Sequence, residues 1–472
     1  MTSAPAPSAT RAVLGRGSIY TVATAAPALA ALAVIPAVTR LLGTDEYDVV
    51  SVAVSVVLQV GYILVALGLG AAITRQYILD RAGADGARAL VVQGAVLAGA
   101  LTGALAACAV WWMPAVLGRP ASAALLLGLA GCLGGAWMVL AQAYLRGADR
   151  PVAFVVLSSL AGLGGPVAGL AGLLAGERSA TAYVAAIAGG YLAAGLAGLV
   201  LVVRSGPLAA DRAGLGRALR IGLPTVPHQV SLYVALAGLV VVADRLLGDG
   251  GRANVALMIG AGATVLTAGL NNAWAPIVYR TPAEQRPAVL TQTTRTIAAV
   301  TLVVAGVVGL LGPWLLRLAA PSTYDPGELV PTLALSAAAA VPSVVYLASG
   351  HLVFASGRTG LLAVSTPAAV AVGLASAALL APRWGLGAVG AGYLVTYVAL
   401  AAATTLVQRA VSPTPWWPPR QLLLVAAWAG AALAGAALPS TGTGGALRLV
   451  VAVALTAAVG VPLLRRTRRS AS

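Results

Sequence analysis

The sequence predicts an all-α polytopic membrane protein of about 14 transmembrane helices, arranged as two parallel six-helix lobes followed by two C-terminal helices. Three observations predict this: an apolar composition laid out in long runs, a one-sided distribution of arginine, and a repeat within the chain.

The 472 residues are 60% hydrophobic and 9% charged, with a mean hydropathy of +0.93. Soluble domains carry about 25% charged residues, so a soluble fold of this size would lack the polar surface to cover itself. The apolar residues fall in runs of about 20 or more, the length a hydrocarbon core roughly 30 Å thick demands of a helix. The 56 glycines add to this picture, because small residues let helices approach closely where lipid supplies no hydrophobic force between them.

In order, the first lobe, 18–203, holds spans 18–39, 48–73, 88–112, 121–144, 152–174 and 182–203. Met1 to Ser18 is polar, and the run after it is full-length with no convincing cleavage site, so it reads as an uncleaved first span behind a tail at 1–17. A loop at 204–220 joins the lobes. The second lobe, 221–407, holds spans 221–243, 253–278, 296–318, 329–354, 360–381 and 385–407; region 408–472 adds 421–438, 446–464 and a basic tail. The longest polar segments lie near Asp80–Arg88, Arg204–Arg220 and Arg280–Arg295, too short for a soluble domain.

No lysine occurs in the chain, and 21 of the 29 arginines fall on the side of the N terminus. Such a bias marks the cytoplasmic face, so both termini are expected there. Five acids share that side and eight lie opposite, which places the whole formal charge of +16 on the cytoplasmic face. Its expected partners are anionic headgroups, not nucleic acid.

Residues 38–43 read Val-Thr-Arg-Leu-Leu-Gly and residues 243–248 read Ala-Asp-Arg-Leu-Leu-Gly, an offset of 205 at which Arg75 also meets Arg280. Six spans per half give the halves one orientation, an arrangement found in transporters whose substrate site lies between the halves.

Motifs for chemistry are missing. Without lysine there is no P-loop or Schiff-base lysine. No HExxH motif occurs, and Cys108 and Cys132 stand in separate spans without a metal or redox pattern. An enzyme is not expected, nor a cofactor or metal. What remains is polarity inside spans. Asp48, Ser51, Ser55, Gln59 and Tyr62 share one face of span 2; Thr264, Thr267 and Asn271 share one face of span 8, with Asn272 beside them. Such stripes must face protein or water. They either line a shared cavity or hydrogen-bond helices together. Span 7 opens with Gly222, Pro224 and Pro227, which loosen a helix, followed by His228 and Gln229. At span ends stand Arg40, Arg75, Asp244, Arg245, Arg280 and Arg295. These are topology anchors, or they form a gate and a site for diphosphate, which guanidinium binds in bidentate fashion.

The segments "VTRLLGTDEYDVVSVA" (38–53), "GLGAAITRQY" (68–77), "GLPTVPHQVSLYV" (222–234) with "ADRLLG" (243–248), and "NNAWAPIVYR" (271–280) resemble the Wzx-type polysaccharide flippases. These belong to the multidrug/oligosaccharidyl-lipid/polysaccharide exporter superfamily. The resemblance spans roughly the first twelve helices. It implies two lobes around a cavity and translocation of an undecaprenyl-diphosphate-linked oligosaccharide to the periplasmic leaflet, for polysaccharide biosynthesis and export. A polysaccharide polymerase is then a candidate partner. Lipid II flippases of the superfamily look richer in arginine in the first helix; here none lies between Arg16 and Arg40. The multidrug branch often uses buried carboxylates, whereas Asp48 and Asp244 lie near span ends. A cation-coupled antiporter of small amphiphiles stands as the alternative, and a membrane glycosyltransferase as a third class, for which no catalytic carboxylate stands out.

Overall fold

The computed structural model describes residues 17–469 apart from 80, 81, 208–211, 357, 413, 415, 419 and 420. Among the described residues every regular element is helical, and the elements make up fourteen long helices. Helix α1 (17–42) is set off from α2 (44–79) by Gly43, whose φ of 75° breaks an otherwise continuous Gly17–Ser51 helix. Helix α3 runs Gly83–Ala107 and on through Ala109–Leu117; α4 is Ala123–Gly147, α5 is Pro151–Leu174 and α6 is Ala180–Val203. Helix α7 has two pieces, Arg212–Gly222 and Val226–Leu247. Then follow α8 (Gly250–Arg280), α9 (Arg286–Ala319), α10 (Val330–Ser356), α11 (Leu362–Trp384), α12 (Gly387–Val411), α13 (Gln421–Ala436) and α14 (Gly442–Arg469). Eleven helices of the described residues are long and apolar enough to cross a membrane, α1 and α2 counting as one across their kink.

Each expected span has its helix, and most helices extend several residues past the apolar run. The main correction concerns 204–220, expected as a loop: it is helical from Arg212. Gly214, Ala218 and Gly222 turn inward there while Arg217 and Arg220 stay exposed. Short apolar stretches on a polar background form a helix lying against the bundle without spanning it.

In the first lobe α4 is the hub, packed on α2, α3 and α6; in the second, α12 packs on α10 and α11, and α8 and α9 close the bundle. Glycine makes this possible: a side chain at Gly134 would meet the backbone of Leu192, and one at Gly390 the backbone of Thr332. Helices α13 and α14 both lie on α9. Arg448 of α14 is buried and donates to Leu310 O at 2.8 Å and to the carbonyls of Leu438 and Ala436, clasping the end of α13 to α9. The lobes meet where α8 runs along α1 and α2 and where α7 runs along α2.

Candidate functional site

Three features lie along the junction of the lobes. The first closes the end of the molecule opposite the arginine-rich face. The last carbonyls of a helix have no partner within it and carry partial negative charge. Arg40, near the end of α1, donates to Leu318 O (2.9 Å) and Arg317 O (3.1 Å) at the end of α9. Arg245, near the end of α7, donates to Ala115 O (3.0 Å) and Pro114 O (3.3 Å) at the end of α3. Each residue caps the third helix of the opposite lobe. Thr39 adds a bond to Ala319 O at 2.7 Å. Its counterpart at the offset of 205, Asp244, takes Arg119 Nε at 2.8 Å, and the second guanidinium nitrogen bonds the other oxygen. Arg119 lies between α3 and α4, and its bonds to Asp244 raise its pKa above the ordinary arginine value. A second carboxylate, Asp48, stands 3.8 Å from the same guanidinium and accepts the Gly251 N–H at the start of α8. Tyr324, at the position related to Arg119, donates to Gly43 O at 2.9 Å.

The second feature is a cavity of about 350 Å³ between the lobes, walled by α1, α2, α5 and α6 on one side and by α7 and α8 on the other. Ser51, Ser55 and Gln59 line it from α2 and Asn254 lines it from α8. Asn254 bridges the lobes, donating to Ser51 Oγ (3.2 Å) and accepting from Ser55 Oγ (3.3 Å). Tyr47, Tyr183 and Tyr191 add phenol rims. Among the described lining there is no carboxylate, arginine or histidine. Two wall helices carry wide π-helical turns at the cavity, Val52–Leu58 in α2 and Leu160–Gly164 in α5; such turns shift side-chain direction and often mark functional positions.

The third is a groove of about 670 Å³ at the arginine-rich end, reached one turn beyond Gln59. Thr74, Arg75, Arg146 and Gln229 line it. Here α2 breaks at Leu67 (φ 52°) and Gly68 (φ 67°), and the break packs directly on Gly222 and Thr225 at the start of α7.

The expected residues therefore divide. Ser51, Ser55 and Gln59 line the central cavity; Asp48, Arg40, Asp244 and Arg245 join at the closed end; Arg75 and Gln229 meet in the groove. Tyr62 lies just beyond the cavity, its hydroxyl 3.3 Å from that of Tyr233 across the lobes and its ring stacked on Tyr191. The stripe expected on α8 turns elsewhere: Thr264 and Thr267 are buried within the second lobe, and Thr267 bonds Ala263 O and Thr301 on α9. Asn271 is half-buried, its Oδ1 without a partner among the described residues. His228 bonds Thr366 at 2.8 Å inside the second lobe. Arg295 is exposed on α9. The side chains of Asn272 and Arg280 lie outside the described residues. The reading missed Asn254 and Arg119. Asn254 is a lone amide in an apolar run, off the stripe of Thr264 and Thr267. Arg119 is one of the eight arginines on the side opposite the N terminus and sits in no motif.

No family model and no curated protein matches the sequence. Solved structures do. The lipid II flippase MurJ in an inward closed conformation superposes with a TM-score of 0.68 at 9% identity, over 95% of this chain and 99% of that one. An inward-facing multidrug resistance MATE family transporter of the MOP superfamily gives 0.57 at 16% identity, over 87% and 95%. A MATE P26A mutant gives 0.59 at 16%, over 89% and 99%. The chain has the fold of the MOP-superfamily transporters. At these identities the likeness concerns the fold.

Proposed function

We propose that this protein flips an undecaprenyl-diphosphate-linked oligosaccharide across the bacterial inner membrane by alternating access, with both termini cytoplasmic. The observation that carries the reading is the interlobe cavity, furnished with hydroxyl and amide groups and no described charge. Sugar hydroxyls both donate and accept, so Ser51, Ser55, Gln59 and Asn254 suit them. Charge is kept for the arginine-rich groove, where Arg75 and Arg146 suit a diphosphate at the entrance, with Arg280 assigned the same role from its repeat position. The caps Arg40 and Arg245 and the Arg119–Asp244 pair form the periplasmic gate, closed in this state. An excess of arginine on the groove side supports that orientation.

One feature favours the second reading, an antiporter of small amphiphiles: Val34, Val38, Leu236, Met258 and Leu266 give the cavity aliphatic walls. One experiment separates the two. Cells depleted of the protein are extracted and the lipid-linked repeat is quantified beside surface glycan. Accumulated repeat with reduced glycan, both restored by the protein alone, supports flipping. Unchanged glycan with raised drug accumulation replaces it with the antiporter.

A further inference from the structure

A second cavity, of about 420 Å³ and sharing Arg75 with the groove, lies under the first piece of α7, between it and the facing ends of α2 and α3. Its polar lining among the described residues is Arg75, Gln76 and Arg217; exposed Ala82 lines it too, and Leu90 and Ile221 form apolar walls. Gln76 is only 7% exposed, held against Gly86, and its amide makes no hydrogen bond to a described residue. Arg75 is exposed and forms no ion pair with a described carboxylate. The Gln76 amide opens onto the cavity, where a ligand or water can meet it. Two guanidinium groups and an amide converging from two elements make a receptor for a tetrahedral oxyanion.

The setting narrows the ligand. The cavity sits at the arginine-rich end of the bundle, where Arg220 is exposed and exposed Ile221, Leu223 and Ile78 offer an apolar border. A basic helix with an apolar border lies in the headgroup region of a bilayer. We infer that Arg75, Gln76 and Arg217 hold the phosphate of an anionic phospholipid headgroup, with its acyl chains along Ile221. The bound phosphate ties the connecting helix of the two lobes to α2 and α3. The inference shares Arg75 with the transport proposal, so its test uses Arg217 and Ala82, which lie outside the groove; glycan export reads the transport proposal alone.

The test is the melting of the full-length protein in a maltoside detergent. Dihexanoyl phosphatidylglycerol, dihexanoyl phosphatidylcholine and inorganic pyrophosphate are titrated separately. Stabilisation by ligand follows its concentration relative to Kd. Losing one charge-assisted contact weakens binding about tenfold or more. We expect phosphatidylglycerol to raise the melting temperature, and Arg217→Gln and Ala82→Glu each to need about tenfold or more lipid for the same rise. Both changes are on exposed positions, and unaltered gel-filtration profiles confirm their fold. Pyrophosphate as effective as the lipid, with the same loss in both variants, keeps the phosphate site and assigns it to soluble phosphate. Phosphatidylcholine as effective as phosphatidylglycerol, or both variants responding like the parent, overturns the inference.

Discussion

Asp244→Asn tests whether the Arg119–Asp244 pair holds the gate shut. The Asp244 side chain is 4% exposed and that of Arg119 is 29% exposed. Two hydrogen bonds join them. Removing one partner of a fully buried pair costs about 3–5 kcal/mol. Here Arg119 keeps contact with water and has Asp48 at 3.8 Å as a second partner, and asparagine retains one acceptor. The loss for the closed state is then about 2 kcal/mol, roughly a 30-fold shift toward the open one. Thr39 provides the readout, since it is fully buried and bonded to Ala319 across the lobes. With exposed Cys108 replaced by serine, Thr39→Cys is placed in both backgrounds, so that its own effect cancels. Modification by a membrane-impermeant maleimide, applied from the gate side, follows the open population when opening is fast. Asp244→Asn should speed it roughly 30-fold. An unchanged rate would mean that the pair contributes nothing to closure, and the gate assignment would fall with it.

Arg40→Ala and Arg245→Ala should each accelerate the same modification, by similar factors of roughly tenfold, because each removes two bonds to helix-end carbonyls; a large effect from one and none from the other would deny the two-fold arrangement. Asn254→Leu should lower glycan export severalfold at equal membrane abundance, and unchanged export would remove Asn254 from the cavity's function. A Cβ at Gly68 would run into Gly222 O at a φ of 67°; Gly68→Ala should lower membrane abundance or transport, costing at least about 1–2 kcal/mol from the left-handed backbone alone, as read by abundance and melting. Arg448→Leu strips donors from the carbonyls of Ala436, Leu438 and Leu310, at about 1–3 kcal/mol for each left unsatisfied; limited proteolysis should then release α13–α14 before the lobes.

Much of the architecture was legible because lipid imposes it. An apolar run of fixed length with polar ends admits one structure, so all fourteen helices could be placed from hydropathy and arginine alone. What a polar side chain faces was less legible. Ser51, Ser55 and Gln59 are spaced like Thr264 and Thr267, yet the first set meets the cavity and the second is buried inside its own lobe. Spacing defines a face and says nothing of what lies opposite. The connecting helix was missed for a related reason: at 212–222 three arginines among short apolar residues fail a test built for spans, and only packing on α2 and α3 makes the segment a helix.

The repeat was visible as a shared Arg-Leu-Leu-Gly, and the structure gives it a mechanical meaning. Arg40 and Arg245 cap opposite third helices, and Arg119 and Tyr324, again 205 apart, each reach back to the end of the partner lobe's first helix. The two sides of this closed end share geometry and differ in chemistry. Asp244 and Arg119 make an ion pair, while Thr39 and Tyr324 donate single neutral bonds to carbonyls. A charge-assisted pair is roughly twice as strong as its neutral equivalent, so the proposed gate is held hardest where α7 meets α3. The α1–α9 side needs less energy to part. In the proposed opening the two seams part as one, so the ion pair between α7 and α3 sets how often Thr39 on the α1–α9 seam is reached.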